Sequence, residues 1–399
     1  MSLANGRTYL AIPGPSVMPD RVLAAMQRPA PNIYAGELID LTQGIFGDLR
    51  ELAGTRDHAA IYIANGHGAW EAANANLFSR GDTALVAITG RFGQGWTASA
   101  TAVGVKVETL DFGLKSPADP DRIEAALRAD KDGRIRAVMV THVDTATSVR
   151  NDIPAIRAAI DAAGHPALLA VDAVASLGCD PMRMDGWGVD VLLAASQKGL
   201  MTPPGLAFLW FSERARAATA KADLKTPYWD WEPRANPAEY YQHFCGTAPT
   251  HHLFALAEAL KMLLREEGLE AAWARHATLS RAVWAAFDAW GQGGDIRLNV
   301  PDPAARGASV TAARIGGGGA GQLRAWCEAE AGVTLGIGLG MAEPDSPAYG
   351  DFLRVAHMGH VNAHMTLGVL AVMEAGLRAL GIPHGAGALD AAAEVVARA

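Results

Sequence analysis

The 399-residue sequence has few cysteines, no surplus of positive charge and no long apolar run. Cys179, Cys245 and Cys327 are far apart and form no CxxC pair, so they predict neither a disulfide framework nor a zinc site. The formal net charge of −8 argues against the basic face that nucleic-acid binding requires. No apolar run approaches the roughly 20 residues of a membrane span, and no signal-peptide pattern is visible. We therefore predict a cytoplasmic protein that binds neither nucleic acid nor membrane.

Short apolar runs alternate with helical patterns between residues 59 and 212. This alternation predicts an α/β fold with a mostly parallel, doubly wound sheet. The predicted strands cover residues 59–64, 84–89, 135–141, 167–171, 189–195 and 206–211. After Gly291 the pattern changes to a smaller α+β unit. The predicted organisation is an N-terminal segment (1–20), a large domain (21–265) and a small C-terminal domain (266–399) entered through a bridging helix. The first forty or so residues are predicted to be irregular.

One lysine stands directly after a predicted strand. Lys198 follows the apolar run 189–195 and precedes a loop that contains Pro203, Pro204 and Gly205. Burial disfavours a charged ammonium, and the resulting neutral amine is a nucleophile that can form a Schiff base. The alternative is an ordinary lysine that extends from a strand end into solvent. The apolar run before Lys198 and the glycine- and proline-rich loop after it favour the reactive lysine.

An aspartate ends another predicted strand. Asp172 follows the run 167–171, so an acid and Lys198 are expected at the ends of neighbouring strands. Pyridoxal phosphate requires such a pair, an acid for the pyridine nitrogen and a lysine for the aldehyde. Val174, two positions on, would pack against a face of the ring. Once substrate has displaced Lys198 from the cofactor, its amine would move the proton at the substrate Cα.

Two further segments follow predicted strands. Residues 64–71 open a helix after small residues, and a helix N-terminus favours an anion such as phosphate. There His67 either reaches the cofactor or only caps the helix. Residues 89–96 contain two aromatic side chains, one of which could stack on the pyridine ring rather than only fill the core. Phe92 is nearer the strand end and is preferred, and Trp96 is the alternative.

Arg354 lies in the apolar strand 352–356 of the smaller unit. A half-buried arginine needs a partner, either a substrate carboxylate or a structural salt bridge. No second basic anchor is evident, which favours short monocarboxylic substrates over aspartate or glutamate.

The glycine cluster 316–321 is interpreted as a flexible connection. It lacks the early βαβ setting and the acid of a nicotinamide-binding site, so a dehydrogenase is not indicated.

At these residues the chain resembles the class V, fold type I, pyridoxal-phosphate aminotransferases, nearest to their serine–glyoxylate and alanine–glyoxylate branch. The resemblance covers nearly the whole length and rests on residues 13–16, 66–72, 185–190, 196–199, 203–206 and 354–359. It implies transamination from serine or alanine to glyoxylate or another short 2-oxo acid. The alternatives are pyridoxamine–pyruvate, ureidoglycine–glyoxylate and aminoethylphosphonate aminotransferases, or a non-catalytic protein of this fold. Cysteine desulfurases show histidine where this chain has Gln197.

The resemblance also implies roles for individual residues. Asn65, Gly66 and His67 would lie at the phosphate and ring, and Gln197 would contact the phosphate. Phe92 would stack on the ring, and Thr145 would bond near its 3-hydroxyl group, beside Asp172 and Val174. Lys198 would hold the cofactor, and Arg354 would bind the substrate α-carboxylate. Thr247 would reach the phosphate of a neighbouring subunit, which implies a homodimer with shared active sites. The chain departs from the family pattern at Ser16, Ser148, Phe244 and Cys245.

Overall fold

The computed structural model describes residues 2–399, which form twelve strands and thirteen α-helices. The strands are β1 (Tyr9–Ala11), β2 (His58–Ala64), β3 (Thr83–Ile88), β4 (Lys106–Asp111), β5 (Ile135–Thr141), β6 (Leu168–Asp172), β7 (Val191–Ala195), β8 (Gly205–Phe211), β9 (Ile296–Leu298), β10 (Val310–Ile315), β11 (Val333–Ile337) and β12 (Phe352–Ala356). The helices are α1 (Asp20–Ala25), α2 (Glu37–Ala53), α3 (Gly66–Leu77), α4 (Arg91–Ala102), α5 (Pro120–Ala129), α6 (Ile153–Ala162), α7 (Glu213–Thr219), α8 (Glu232–Ala235), α9 (Thr250–Leu260), α10 (Leu269–Gly291), α11 (Gly319–Ala331), α12 (Ala363–Ala379) and α13 (Ala388–Ala397). A π-helical turn, Lys261–Glu267, follows α9, and 3₁₀ turns cover Tyr240–Phe244, Pro303–Ala305 and Tyr349–Asp351.

The larger sheet has seven strands in the order β2-β8-β7-β6-β5-β3-β4. All of its neighbouring pairs are parallel except those of β8, which runs antiparallel between β7 and β2. Every residue of β3, β6 and β7 is buried. Helices α3, α4 and α7 cover one face, and α2, α5, α6 and α9 cover the other. The predicted doubly wound, mostly parallel sheet is confirmed.

This topology brings the carboxyl ends of five site-bearing strands to one edge of the sheet. Strands β2, β3, β5, β6 and β7 all point the same way, and each is followed there by a segment predicted to carry the site. In open α/β sheets, ligands bind at the carboxyl ends of the strands. The binding crevice forms where the chain segments that follow two neighbouring strands go to opposite faces of the sheet. The sheet therefore positions side chains that are far apart in the chain around one point.

The smaller sheet has five strands in the order β1-β11-β12-β10-β9. Strand β1, from the N-terminal segment, pairs in parallel with β11, with Tyr9 opposite Val333. Helix α10 links the two cores, because Ala272 packs in the core of the larger sheet whereas Phe287 and Trp290 pack in that of the smaller one. The bridging helix and the domain boundaries at residues 20 and 265 stay predictions.

Some local expectations were wrong. The first forty residues hold β1 and α1 rather than only irregular chain. The glycine cluster is a turn and a helix start, since Gly317 and Gly318 have φ values of 67° and 73°, and Gly319 begins α11. The Gly318 N–H donates to Oδ1 of Asp351 at 2.7 Å, which fixes this turn. No helix within residues 2–399 is long and apolar enough to span a bilayer.

Candidate active site

A cavity of about 490 Å³ lies between the carboxyl edge of the larger sheet and the strands of the smaller one. Every predicted site residue except Thr247 lines it. These residues are Asn65, Gly66, His67, Phe92, Thr145, Asp172, Val174, Gln197, Lys198 and Arg354. Chain folding thus gathers residues from five strand ends of one sheet and one strand of the other.

Asp172, the last residue of β6, is buried at the floor of this cavity. The Trp70 indole N–H donates to its Oδ2 at 2.7 Å, and the Val174 backbone N–H donates to its Oδ1 at 2.8 Å. Burial raises the pKa of Asp172 to about 6, although these two hydrogen bonds oppose the shift. The carboxylate is therefore ionised at neutral pH and can accept from a cationic N–H in the cavity.

Lys198 follows β7 and is held by the N-terminal segment. Its Nζ contacts the carbonyl oxygen of Pro13. The Ser16 hydroxyl donates to the Lys198 carbonyl oxygen at 2.7 Å, and the Ser16 N–H donates to the Gln197 carbonyl oxygen at 2.9 Å. Burial, and then the nearby Arg354, lower the pKa of Lys198 to about 8. A substantial fraction of this amine is therefore neutral near pH 8.

Gly14 shows why the N-terminal segment contains glycine at this point. Its φ is 105°, in the region that side-chain-bearing residues rarely adopt. A Cβ at this position would also overlap the side chain of Lys198. Pro13 and Gly14, which in the sequence were only part of a motif, therefore pack directly against the side chain of Lys198.

Asn65 caps α3, and His67 does not. The Asn65 Oδ1 accepts from the N–H groups of His67 and Gly68 at 3.0 and 3.4 Å. The His67 ring instead lies edge-on to Trp70, with 4.6 Å between centroids, and faces the cavity. A Cβ on Gly66 would come within 3.1 Å of the Val174 Cγ2, so this turn also needs a small residue.

Of the two aromatic candidates on α4, only Phe92 lines the cavity. Trp96 is fully buried, lies parallel to Trp70 at 6.4 Å between centroids, and donates from Nε1 to the Asn74 Oδ1 at 3.1 Å. The backbone N–H of Phe92 donates to Oδ2 of the buried Asp144 at 2.8 Å, which fixes the start of α4. This placement favours Phe92 over Trp96 as the residue beside a bound ring, and its stacking on a cofactor stays a prediction.

Arg354 enters the cavity from β12. Its Nε donates to the Ile337 carbonyl oxygen at 2.7 Å, and its Nη1 donates to the Thr145 carbonyl oxygen at 3.0 Å. Within residues 2–399 no carboxylate oxygen lies within 4.0 Å of its guanidinium, so the structural salt bridge considered from sequence is absent there. Burial lowers the pKa of Arg354 to about 10, and the group stays charged at neutral pH. An anionic ligand can therefore pair with it.

Sequence reasoning gave no role to two side chains of this cavity that bear on its chemistry, Trp70 and Arg324. Trp70 lies in a block that was noticed for its glycines, and its indole bond to Asp172 links residues far apart in the chain. Arg324, on α11, lines the cavity and donates from Nε to the Leu335 carbonyl oxygen at 3.1 Å. A second arginine side chain therefore lines the cavity, where the sequence indicated only Arg354. Arg324 lies in a polar helical stretch, and none of its neighbours in the sequence indicates a role in the site.

Thr247 is exposed and lies outside this cavity. It follows Cys245 and Gly246, whose φ values of 53° and 140° mark a sharp turn before α9. Its contact with the cofactor of a neighbouring subunit stays a prediction.

The cavity fits pyridoxal phosphate. The side-chain oxygen of Gln197 is buried with no hydrogen-bond partner in residues 2–399, which is typical of a polar group that awaits a ligand. An amide side chain can turn its NH₂ end toward an anion such as phosphate. Asp172 offers an anion for a ring nitrogen, and Lys198 offers an amine for an aldehyde.

Comparisons with known proteins agree with this geometry. The model of a family described as "Aminotransferase class-V" matches residues 8–350. A serine–glyoxylate aminotransferase of Methylorubrum extorquens is 37% identical and covers 93% of this chain and 91% of its own length. An L-aspartate–glyoxylate aminotransferase of Paracoccus denitrificans is 34% identical, with 96% and 94% covered. The ureidoglycine–glyoxylate aminotransferase structure from Bacillus subtilis superposes with a TM-score of 0.87 at 28% identity, with 99% of this chain and 100% of that chain covered.

Proposed function

The chain belongs to the class-V aminotransferases, and from that premise we propose that it transfers the amino group of serine or alanine to glyoxylate. It is a pyridoxal-phosphate-dependent transaminase of fold type I. The observation that carries the proposal is one cavity that holds a depressed-pKa lysine, a buried aspartate and an arginine free for a carboxylate. The relatives that act on serine and glyoxylate by name support the substrate pair.

Pyridoxal phosphate, when bound, supplies an electron sink for the negative charge that develops at the substrate Cα. Asp172 would face the ring nitrogen and favour its protonated form, because Trp70 and Val174 hold the carboxylate in place. Gln197 would hold the phosphate together with the turn at Gly66. Phe92 and Val174 would flank the ring, and Thr145 would lie beside its 3-hydroxyl group.

Lys198 would take the proton from the substrate Cα and return it at the end of each half-reaction. A general base works best when its pKa lies near the working pH, and the Lys198 pKa of about 8 meets this requirement. The Pro13 carbonyl oxygen contacts this amine, and Ser16 holds the backbone of Lys198 in place. The same residue would also be the covalent attachment point of the cofactor.

Arg354 would bind the α-carboxylate of the donor and then that of the acceptor. Both substrates carry a carboxylate next to the reacting carbon, so one guanidinium serves both half-reactions. The Ile337 and Thr145 carbonyl oxygens fix its Nε and Nη1, and the remaining N–H groups are available to the ligand. This orientation would present the Cα proton to Lys198.

We also propose a cytoplasmic homodimer in which Thr247 contributes to the partner's site. The exposed position of Thr247, outside the cavity of its own chain, supports this assignment. Three dispersed cysteines suit a reducing compartment.

Separate half-reactions test the proposal. The purified, cofactor-loaded enzyme is mixed with serine or alanine, and the visible absorbance of the bound cofactor is followed before glyoxylate is added. We expect one of these donors to remove the visible band, and glyoxylate to restore it with formation of glycine, detected by mass spectrometry. Pyridoxamine, ureidoglycine and aminoethylphosphonate are run beside them. A response to one of these three alone would replace the proposed donor, and a response to none of the amines would favour a binding protein.

A further inference from the structure

Two arginine side chains enter the active-site cavity over the same strand. The Nε of Arg354 donates to the carbonyl oxygen of Ile337, and the Nε of Arg324 donates to that of Leu335. These carbonyl groups are two residues apart in β11, which is about 6.6 Å along a strand. Each guanidinium is therefore anchored to the backbone through its Nε, and the two anchors are close together.

Within residues 2–399, neither of these charges has a direct ion pair with a carboxylate, although Asp144 and Glu328 act on Arg354 and Arg324 from a longer distance. Within the part of the chain that the structure describes, no carboxylate oxygen lies within 4.0 Å of Arg324 or Arg354. The Nη groups of Arg324 have no hydrogen-bond partner there. Glu328, one turn along α11, accepts instead from the Thr334 hydroxyl at 3.3 Å. Arg354 is buried and Arg324 is half-buried, so both charges are partly removed from water, and a ligand with two acidic groups would supply the direct ion pairs that they lack.

We propose that Arg324 binds the side-chain carboxylate of an acidic amino donor, so that the site accepts a four-carbon dicarboxylic amino acid such as aspartate. This inference rests on the proposed function, in which Arg354 holds the α-carboxylate. The short spacing of the two anchors on β11 suits a four-carbon diacid. Arg324 is then a specificity-determining residue, and serine and alanine leave it without an ionic partner.

The reaction balances without another reactant. The Cα–N bond of aspartate is replaced by a carbonyl group, which gives oxaloacetate, and the carbonyl group of glyoxylate is replaced by a C–N bond, which gives glycine. The amino group and two electrons pass from one carbon skeleton to the other. No external oxidant or reductant is required.

The test compares wild-type enzyme with Arg324→Gln and Arg324→Lys, using aspartate or alanine as donor and glyoxylate as acceptor. Loss of a charge-assisted hydrogen bond corresponds to about a 10- to 100-fold loss. We expect Arg324→Gln to lower kcat/KM for aspartate by this factor, mainly because KM rises. The kcat/KM for alanine should change by less than about twofold. Arg324→Lys should restore part of the loss. Arg398→Gln, an exposed change directly after the end of α13, is the control for net charge.

Binding of diacids gives a second readout that does not depend on turnover. In calorimetry on the cofactor-loaded enzyme, Arg324→Gln should weaken the binding of succinate at least about tenfold. The binding of propionate, which has one carboxylate, should not change. Equal losses for aspartate and alanine would overturn the inference in favour of a structural role. Wild-type turnover of alanine but not aspartate, with no succinate binding, would overturn it and leave the proposed function intact. If no donor reacts, the proposed function fails, and the succinate comparison alone decides the role of Arg324.

Discussion

The two sides of the active-site cavity are built differently. On the side of the larger sheet, Asp172 and Lys198 stand at strand ends, and protein groups hold each of them. On the side of the smaller sheet, Arg354 and Arg324 are anchored through Nε, and part of each guanidinium is left for a ligand. The first side suits a cofactor that is the same in every reaction, whereas the second can bind substrates that differ in their acidic groups. Changes on the first side should therefore affect every substrate, and changes on the second should affect substrates according to their charge.

The largest effect is expected for Lys198→Ala. This change removes both the attachment point and the proton-transferring amine, and general acid–base catalysis alone contributes about 10²- to 10⁴-fold. Turnover should fall by at least that factor with every donor, and the visible absorbance of the bound cofactor should be lost. Lys106→Ala, an exposed change in β4, is the matched control. Retention of the visible band in Lys198→Ala would contradict the assignment.

Arg354→Gln should produce the next largest effect. Loss of a charge-assisted carboxylate bond predicts about a 10- to 100-fold fall in kcat/KM, with KM raised for every carboxylate substrate. Arg354 also helps to lower the pKa of Lys198, so its removal should raise that pKa above about 8. The activity that depends on the neutral amine should then appear at higher pH than in wild type. An unchanged pH profile with unchanged KM would show that Arg354 faces no substrate.

Trp70→Phe should give the smallest change of the three. The indole N–H stabilises the charged form of Asp172, so its loss should raise the pKa of Asp172 further above about 6. Loss of one hydrogen bond to a charged group predicts about a tenfold decrease in activity, concentrated at acidic pH where Asp172 becomes protonated. Trp96→Phe removes a neighbouring indole N–H that bonds to Asn74 and serves as the control. Equal pH profiles for the two variants would contradict the role of Trp70.

The same contrast explains what the sequence could predict. Asp172, Lys198 and their neighbours follow apolar strands, and parallel strands of one sheet end at one edge, so local patterns were enough to bring them together. The apolar strand that contains Arg354 could also be predicted from its local sequence pattern. Arg324 was missed because its helix shows no local sign of function and only the pairing of β11 brings it to the cavity.

Long-range and exposed elements account for the other differences. Strand β1 pairs with β11 from the far end of the chain, which no local pattern reveals. Strand β4 was not predicted, because its residues are polar and only partly buried and do not form an apolar run. Trp70 resembles an ordinary core aromatic until its indole N–H is seen to meet Asp172.

Mapping the cofactor attachment tests the central claim most directly. The holoenzyme is reduced with borohydride to fix any covalent bond between cofactor and protein, then digested and analysed by mass spectrometry. Because the amine that lines the cavity beside Asp172 belongs to Lys198, we expect the pyridoxyl mass on Lys198 alone. A pyridoxyl group on another lysine, or none on any lysine, would contradict the assignment of this cavity as the active site.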